Sequence, residues 1–151
     1  MSLNCGFTEA GFPEEKQFLF KQEFELKAWL EGHQNLKKLN LSGNTLDYRT
    51  ATIIKALGRN TSLKQLILNR IYTAGEMMAD TFVEDLQRNK TLRSFSFQDN
   101  PIGYVDMAHM ITWLEQFTSL VEIDLMGTDC CPPQFKKIQD LLERNKANTN
   151  S

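Results

Sequence analysis

Leu36-Lys37-Lys38-Leu39-Asn40-Leu41-Ser42-Gly43-Asn44 carries leucine at its first, fourth and sixth positions and asparagine at its ninth. The frame returns at Leu63/Leu66/Leu68, at Leu92/Phe95/Phe97 with Asn100, and at Leu120/Ile123/Leu125, so successive copies start 27, 29 and 28 residues apart. One unit of this size cannot bury its own apolar face, so the period predicts units stacked on one another around a continuous core. Each nine-residue stretch alternates as a short strand does.

Between the strands lie apolar residues at helical spacing: Ile53/Ile54/Leu57, Met78/Phe82/Leu86 and Met107/Met110/Ile111/Leu114, flanked by Leu26/Leu30 and Ile138/Leu142. The last leucine of each set precedes a polar turn. Leu57-Gly-Arg-Asn60, Leu86-Gln-Arg-Asn89 and Leu142-Glu-Arg-Asn145 are near copies, while Leu30-Glu-Gly-His33 and Leu114-Glu-Gln-Phe117 are looser ones. Six residues separate that leucine from the next frame at 30 to 36, 57 to 63, 86 to 92 and 114 to 120. The expected order is a helix followed by four strand-helix units. Parallel strands joined by helices cross over with one hand. The fold class is therefore α/β: a curved parallel sheet of about four strands inside, with helices outside. Thr73 and Glu76 have capping-box spacing. Pro13 and the pair Pro132-Pro133 suit helix starts.

On these frames and turns the chain resembles leucine-rich repeats of the ribonuclease-inhibitor-like subtype, over residues 26 to 145. Asn60-Thr-Ser-Leu63 and Asn89-Lys-Thr-Leu92, which feed directly into strands, are also similar to turns of tropomodulin, NOD-like receptors and the Ran GTPase-activating protein. The chain departs from the frame at Ile71 and Thr128, where the asparagine is missing. There the ladder of side chains that serves the loop backbone is expected to be incomplete unless Asn69 or water substitutes.

Length and composition bound the rest. A chain of 151 residues, 41% hydrophobic and 24% charged, suits one domain with a substantial core. We divide it into an N-terminal segment 1–13, a repeat domain with helical caps 14–145, and a polar tail 146–151. A formal net charge of −2 is not a nucleic-acid footprint. No apolar run approaches the roughly 20 residues of a membrane span. Met1 to Ala10 do not read as a secretory signal. Cys5, Cys130 and Cys131 are an odd set, read as the reduced thiols of a cytoplasmic protein. The sequons at Asn40, Asn60 and Asn89 are read as unmodified.

Both ends need caps. A helix over Gln134 to Asn145 closes the C-terminal end, and Glu122 and Asp124 on the last strand discourage further pairing. At the N-terminal end Phe18, Leu19, Leu26, Trp29 and Leu30 form one helical arc, and Phe20 and Phe24 form a second. Either Phe7 and Phe12 cover the second arc, or it is an edge for further repeats, a second copy or a partner.

No catalytic motif is present: no H-E-x-x-H, C-x-x-C, G-x-G-x-x-G or phosphate-cradling G-x-x-x-x-G-K, and the histidines are His33 and His109 alone. Cys130 occupies an apolar core position of the other units (Leu46, Ile102) and reads as structural. The chain is expected to be a non-enzyme without cofactor or metal.

What remains is surface. Residues between the leucines face the concave side in three ladders. The first is Lys38, Gln65, Ser94, Glu122; the second is Asn40, Ile67, Ser96, Asp124; the third is Ser42, Asn69, Gln98, Met126. Each runs from a basic or neutral residue toward Glu122 and Asp124, with Ile67 and Met126 as apolar anchors for a partner. A merely solvated polar face is the competing reading. The loops with Tyr48, Arg70, Tyr72, Asp99 and Tyr104 adjoin it. The expected function is a protein-interaction module or scaffold. The resemblance implies two alternatives, an actin-cytoskeleton regulator similar to tropomodulin and a GTPase-activating protein similar to the Ran activator. The latter family's catalytic residues do not match onto this chain.

Overall fold

A computed structural model describes residues 2–4, 28, 30–32, 35–43, 55–71, 86 and 88–149 of the chain. Within it, β2 (Lys38–Asn40), β3 (Gln65–Ile67), β4 (Ser94–Ser96) and β5 (Glu122–Asp124) are the four strands the frame predicts, each three residues long. A fifth strand, β1 (Ser2–Asn4), precedes them. All pairings are parallel and the sheet order is β1-β2-β3-β4-β5. The register sets Leu39, Leu66, Phe95 and Ile123 side by side, so equivalent positions of the frame form straight rows across the sheet.

Those rows make the core. Leu36, Leu39, Leu41, Leu63, Leu66, Leu68, Leu92, Phe95, Phe97 and Leu120 are fully or almost fully buried. Each buried leucine contributes about 2 kcal/mol of transfer free energy, which is the physical reason for the repeated frame. The leucines that end the helical segments, Leu30, Leu57, Leu86, Leu114 and Leu142, close the core from the other side. The third unit substitutes aromatic rings: Trp113 lies edge-on to Phe95 at 5.8 Å and tilted against Phe117 at 5.0 Å. Its indole N–H finds no acceptor, alone among the buried side-chain polar atoms described. That costs about 1–3 kcal/mol against the burial of a large ring.

Two helices are described in full. In α1 (Tyr104–Gln116) Met107, Ile111 and Leu114 share the inward face. In α2 (Pro132–Thr149) the buried residues are Gln134, Ile138, Leu142 and Asn145, one stripe at helical spacing. Prolines stand at the α2 start, as the sequence predicts, because the first turn leaves N–H groups unused. Gln134 Oε1 accepts from both the Cys131 N–H (3.2 Å) and its thiol (3.1 Å), which closes the helix start much as a capping box does. Lys137 Nζ lies 2.6 Å from Glu115 Oε1, and Arg144 Nη2 donates to the Glu115 carbonyl, fastening α2 to α1. The helix runs four residues past Asn145, into the polar tail. Thr149 Oγ1 donates to the Asn145 carbonyl at 2.9 Å and accepts from Arg93 Nη1 at 3.0 Å.

The six-residue turns owe their constancy to buried asparagines. Asn60 Oδ1 accepts from the N–H groups of Ser62 (2.9 Å) and Leu63 (2.8 Å), while its Nδ2 donates to the Leu30 carbonyl at 2.8 Å. Asn89 repeats this one unit later, accepting from Thr91 and Leu92 and donating to the carbonyls of Leu57 and Asn60. Asn145 donates to the carbonyls of Phe117 and Leu120. These amides stitch each helix end to the unit before it. With Asn60 and Asn89 at 0% and 1% exposure and both amide ends bonded, neither sequon fits a glycan in the folded chain. Phe117 stands where the third turn lacks the asparagine and fills the space with a ring.

The loops after the strands are uniform as well. Gly43, Arg70, Asp99 and Gly127 occupy equivalent positions, and all have left-handed backbone, with φ of 72°, 52°, 54° and 75°. The N–H groups of Gly43, Arg70 and Asp99 donate to the carbonyls of Asn69, Gln98 and Met126 one unit on. Asn100, the frame asparagine of the third unit, reaches one unit back: its Oδ1 accepts from the Ile71 N–H at 2.6 Å while its Nδ2 donates to the Leu68 and Phe97 carbonyls. By the same geometry an asparagine at position 71 would serve residue 44, which lies outside the described residues. At Thr128 the hydroxyl donates to the Leu125 carbonyl at 2.7 Å.

Candidate functional site

The strand register assembles the three expected ladders. Lys38, Gln65, Ser94 and Glu122 are consecutive partners, as are Asn40, Ile67, Ser96 and Asp124. Exposure follows the position along the sheet. The residues of β3 and β4 in both ladders are half-buried, while Lys38, Glu122 and Asp124 are exposed. Ile67 is half-buried, whereas Met126 is 68% exposed.

The third ladder does structural work. Ser42 Oγ accepts from the Asn69 N–H at 3.0 Å, and Asn69 Nδ2 donates to Gln98 Oε1 at 3.2 Å. Gln98 Nε2 donates in turn to Asp124 Oδ2. Asn69 Oδ1 also accepts from the Ser96 hydroxyl (2.8 Å) and the Gln98 N–H (2.9 Å). Asn69 thus spends its polar groups on the next unit. Asn40 and Asp124, at equivalent positions, accept from the N–H groups of Ser42 and Met126 and order the bend after their strands.

The exposed members of the ladders are Lys38 at one side and Glu122, Asp124 and Met126 at the other. Next to the third ladder, Arg70 Nε sits 3.3 Å from Asp99 Oδ2 as a surface pair. The side chains of Phe20, Phe24, Phe7, Phe12, Tyr48, Tyr72 and Tyr104, and the Thr73/Glu76 cap, lie outside the described residues.

Cys130 packs half-buried against the core. Burial, followed by the neighbouring Cys131, pushes its thiol above the ordinary cysteine range. A raised folded-state value keeps the thiol protonated, so its contribution to stability is present below the unfolded pKa and fades as pH rises past it. Cys130 is expected to react with iodoacetamide at pH 8.5 several-fold more slowly than cysteine in an unstructured reference peptide. Peptide-resolved mass spectrometry measures this, and an equal rate would contradict the burial argument. Among the described residues no three His, Cys, Asp or Glu side chains cluster as metal ligands, and no helix is long and apolar enough to cross a membrane.

Sequence reasoning passed over the basic residues just ahead of the strands. Lys37, Lys64 and Arg93 hold the second position of the frame in three successive units, a signal present in the repeat itself.

No family model matches the chain, and no curated protein sequence matches it. Solved structures do. The actin-binding site 2 of leiomodin-1 superposes with a TM-score of 0.77 at 18% identity, covering 99% of this chain and 82% of that one. The C-terminal domain of tropomodulin from Caenorhabditis elegans gives a TM-score of 0.75 at 14% identity, covering 99% and 86%. At such identities the likeness is one of fold: a leucine-rich-repeat-like solenoid.

Proposed function

We propose that the chain is a non-catalytic protein-interaction module that binds a protein partner through its concave strand face and the adjoining loops. The observation that carries this reading is Met126, 68% exposed at the end of a polar ladder beside the exposed carboxylates of Glu122 and Asp124. A large apolar side chain in a polar frame supplies anchoring area, and the flanking charges supply orientation. With no membrane span or disulfide framework in its reading, the cytoplasm is its expected place. The period of 27 to 29 residues supports assignment of the repeats to the ribonuclease-inhibitor-like subtype.

A second reading, an actin-cytoskeleton regulator, is favoured by the likeness to the actin-binding site 2 of leiomodin-1 and to a tropomodulin domain. One experiment addresses both. The wild type and a Met126→Ser/Glu122→Gln variant are immobilised for affinity capture from lysate, and each is also sedimented with purified actin filaments. The variant is expected to lose the captured partner by about tenfold or more, as loss of an anchor worth at least ~1.4 kcal/mol requires. Capture that is unchanged by the variant would sink the concave face. Sedimentation of the wild type with filaments, reduced in the variant, would select actin as that partner.

A further inference from the structure

The edge at which the strands begin carries a second, chemically different surface. Lys37, Lys64 and Arg93 occupy the same rung position in adjacent units. Their carbonyls fix them there: Lys37 O accepts from the N–H groups of Lys64 and Gln65, Lys64 O from those of Arg93 and Ser94, and Arg93 O from those of Val121 and Glu122. The cations therefore stand one strand spacing apart, about 4.8 Å at the backbone. Lys37 and Lys64 are exposed, and Arg93 is half-exposed. Like charges on directly adjacent strands repel. Yet among the described residues no carboxylate pairs with any of the three. Several other surface cations have carboxylate partners: Arg59 with Glu31, Arg70 with Asp99, Lys136 with Asp140, Lys137 with Glu115, and Lys146 with Glu143. A row of unneutralised cations in a chain of net charge −2 is a segregated field rather than a general basic character.

The row ends in a hollow. Arg93, Val121, Lys146 and Thr149 line a cavity of about 350 Å³ where the α2 end meets the sheet edge. Arg93 Nη1 donates to the Ser119 carbonyl at 3.3 Å and to Thr149 Oγ1 at 3.0 Å, which holds the guanidinium at the mouth of this hollow. A guanidinium fixed through one nitrogen still offers the rest of its fork to a carboxylate.

We propose that this edge is a docking site for an acidic, extended protein segment, with a carboxylate seated in the hollow on Arg93 and further carboxylates over Lys64 and Lys37. Side chains on one face of an extended chain recur about every 6.6 Å, so a run of about five acidic residues sets three carboxylates along the row. The site adjoins Glu122 through the backbone, uses neither its carboxylate nor Met126, and stands whether or not the concave face is used.

The test measures fluorescence anisotropy of a labelled octaglutamate peptide with the full chain, beside a neutral Gly-Ser octapeptide and an octauridylate RNA. Wild type is expected to bind octaglutamate in preference to both, and less tightly as salt rises. Lys37→Gln/Lys64→Gln is expected to weaken it about tenfold, the scale of two to three exposed ion pairs, and the charge-matched Lys55→Gln/Lys136→Gln no more than about twofold. Arg93→Gln is expected to weaken it by about fivefold or more, at an unchanged circular dichroism spectrum. Should that variant unfold, the lysine pair decides alone, because both side chains are exposed. Asp140→Asn, on the outer helix, is expected to leave octaglutamate binding unchanged. Binding no tighter than to the neutral peptide, tighter binding of the RNA, or equal losses in the two lysine pairs would each overturn the proposal.

Discussion

Asn89→Ala is expected to destabilise the domain by about 3 kcal/mol, an effect equivalent to roughly 6–12 °C in melting temperature for a chain of this size. The residue is 1% exposed and serves five groups. It accepts from the Thr91 N–H, the Thr91 hydroxyl and the Leu92 N–H, and donates to the carbonyls of Leu57 and Asn60. Alanine leaves two backbone donors and two backbone acceptors without that partner in a turn that excludes most water. Each orphaned buried group costs about 1–3 kcal/mol, and partial hydration of the turn brings the sum down. Asn89→Asp is expected to be no milder, since it keeps the acceptor, loses both donations and buries a charge. Urea denaturation at unchanged m-value provides the measurement. Asn69→Ala serves as the comparison, because its partners on the half-buried face can turn to water, and a loss of about 1 kcal/mol is expected there. Equal losses at the two positions would refute the turn argument.

This asparagine shows where sequence reasoning stops short. The near copies ending in Asn60, Asn89 and Asn145 were legible as a repeat, since letters and spacing are what a period reveals. Their cause was not, because it lies in hydrogen bonds reaching about thirty residues back, to Leu30, Leu57 and Phe117. The strands and core were legible because one physical requirement, apolar rows, writes itself at fixed positions. Strand β1 was hidden. Ser2-Leu3-Asn4 repeats only the centre of Lys38-Leu39-Asn40, without the flanking leucines that make the frame visible. The concave ladders were legible as membership and not as availability. Alternation assigns Asn69 and Gln98 to that face, but only the structure reveals that they bond one another. Nor does the spacing of the frame reveal that Asn100 reaches back to the Ile71 N–H one unit earlier.

Gly127→Ala is the second large effect, expected at about 3 kcal/mol, and it tests whether the left-handed row is a coupled device. Two terms combine. At φ 75° an added Cβ forces a conformation that side chains adopt only at a cost of about 1–2 kcal/mol. That Cβ would also collide with Asp99 Oδ1 and stand 3.3 Å from Asp99 Cα. The carboxylate must swing away, giving up Arg70, an exposed pair worth no more than about 1 kcal/mol. Asp99→Gly alone is expected to be nearly neutral, because losing that pair is offset by relief at φ 54°. In the double variant Gly127→Ala/Asp99→Gly the collision with the carboxylate is gone, while the backbone term and the close approach to the residue-99 Cα stay. It is therefore expected to cost about 2 kcal/mol, a coupling near 1 kcal/mol between adjacent units. Urea titrations of the four proteins close the cycle. Additive losses would mean that backbone strain acts alone, and that the two turns do not press on each other.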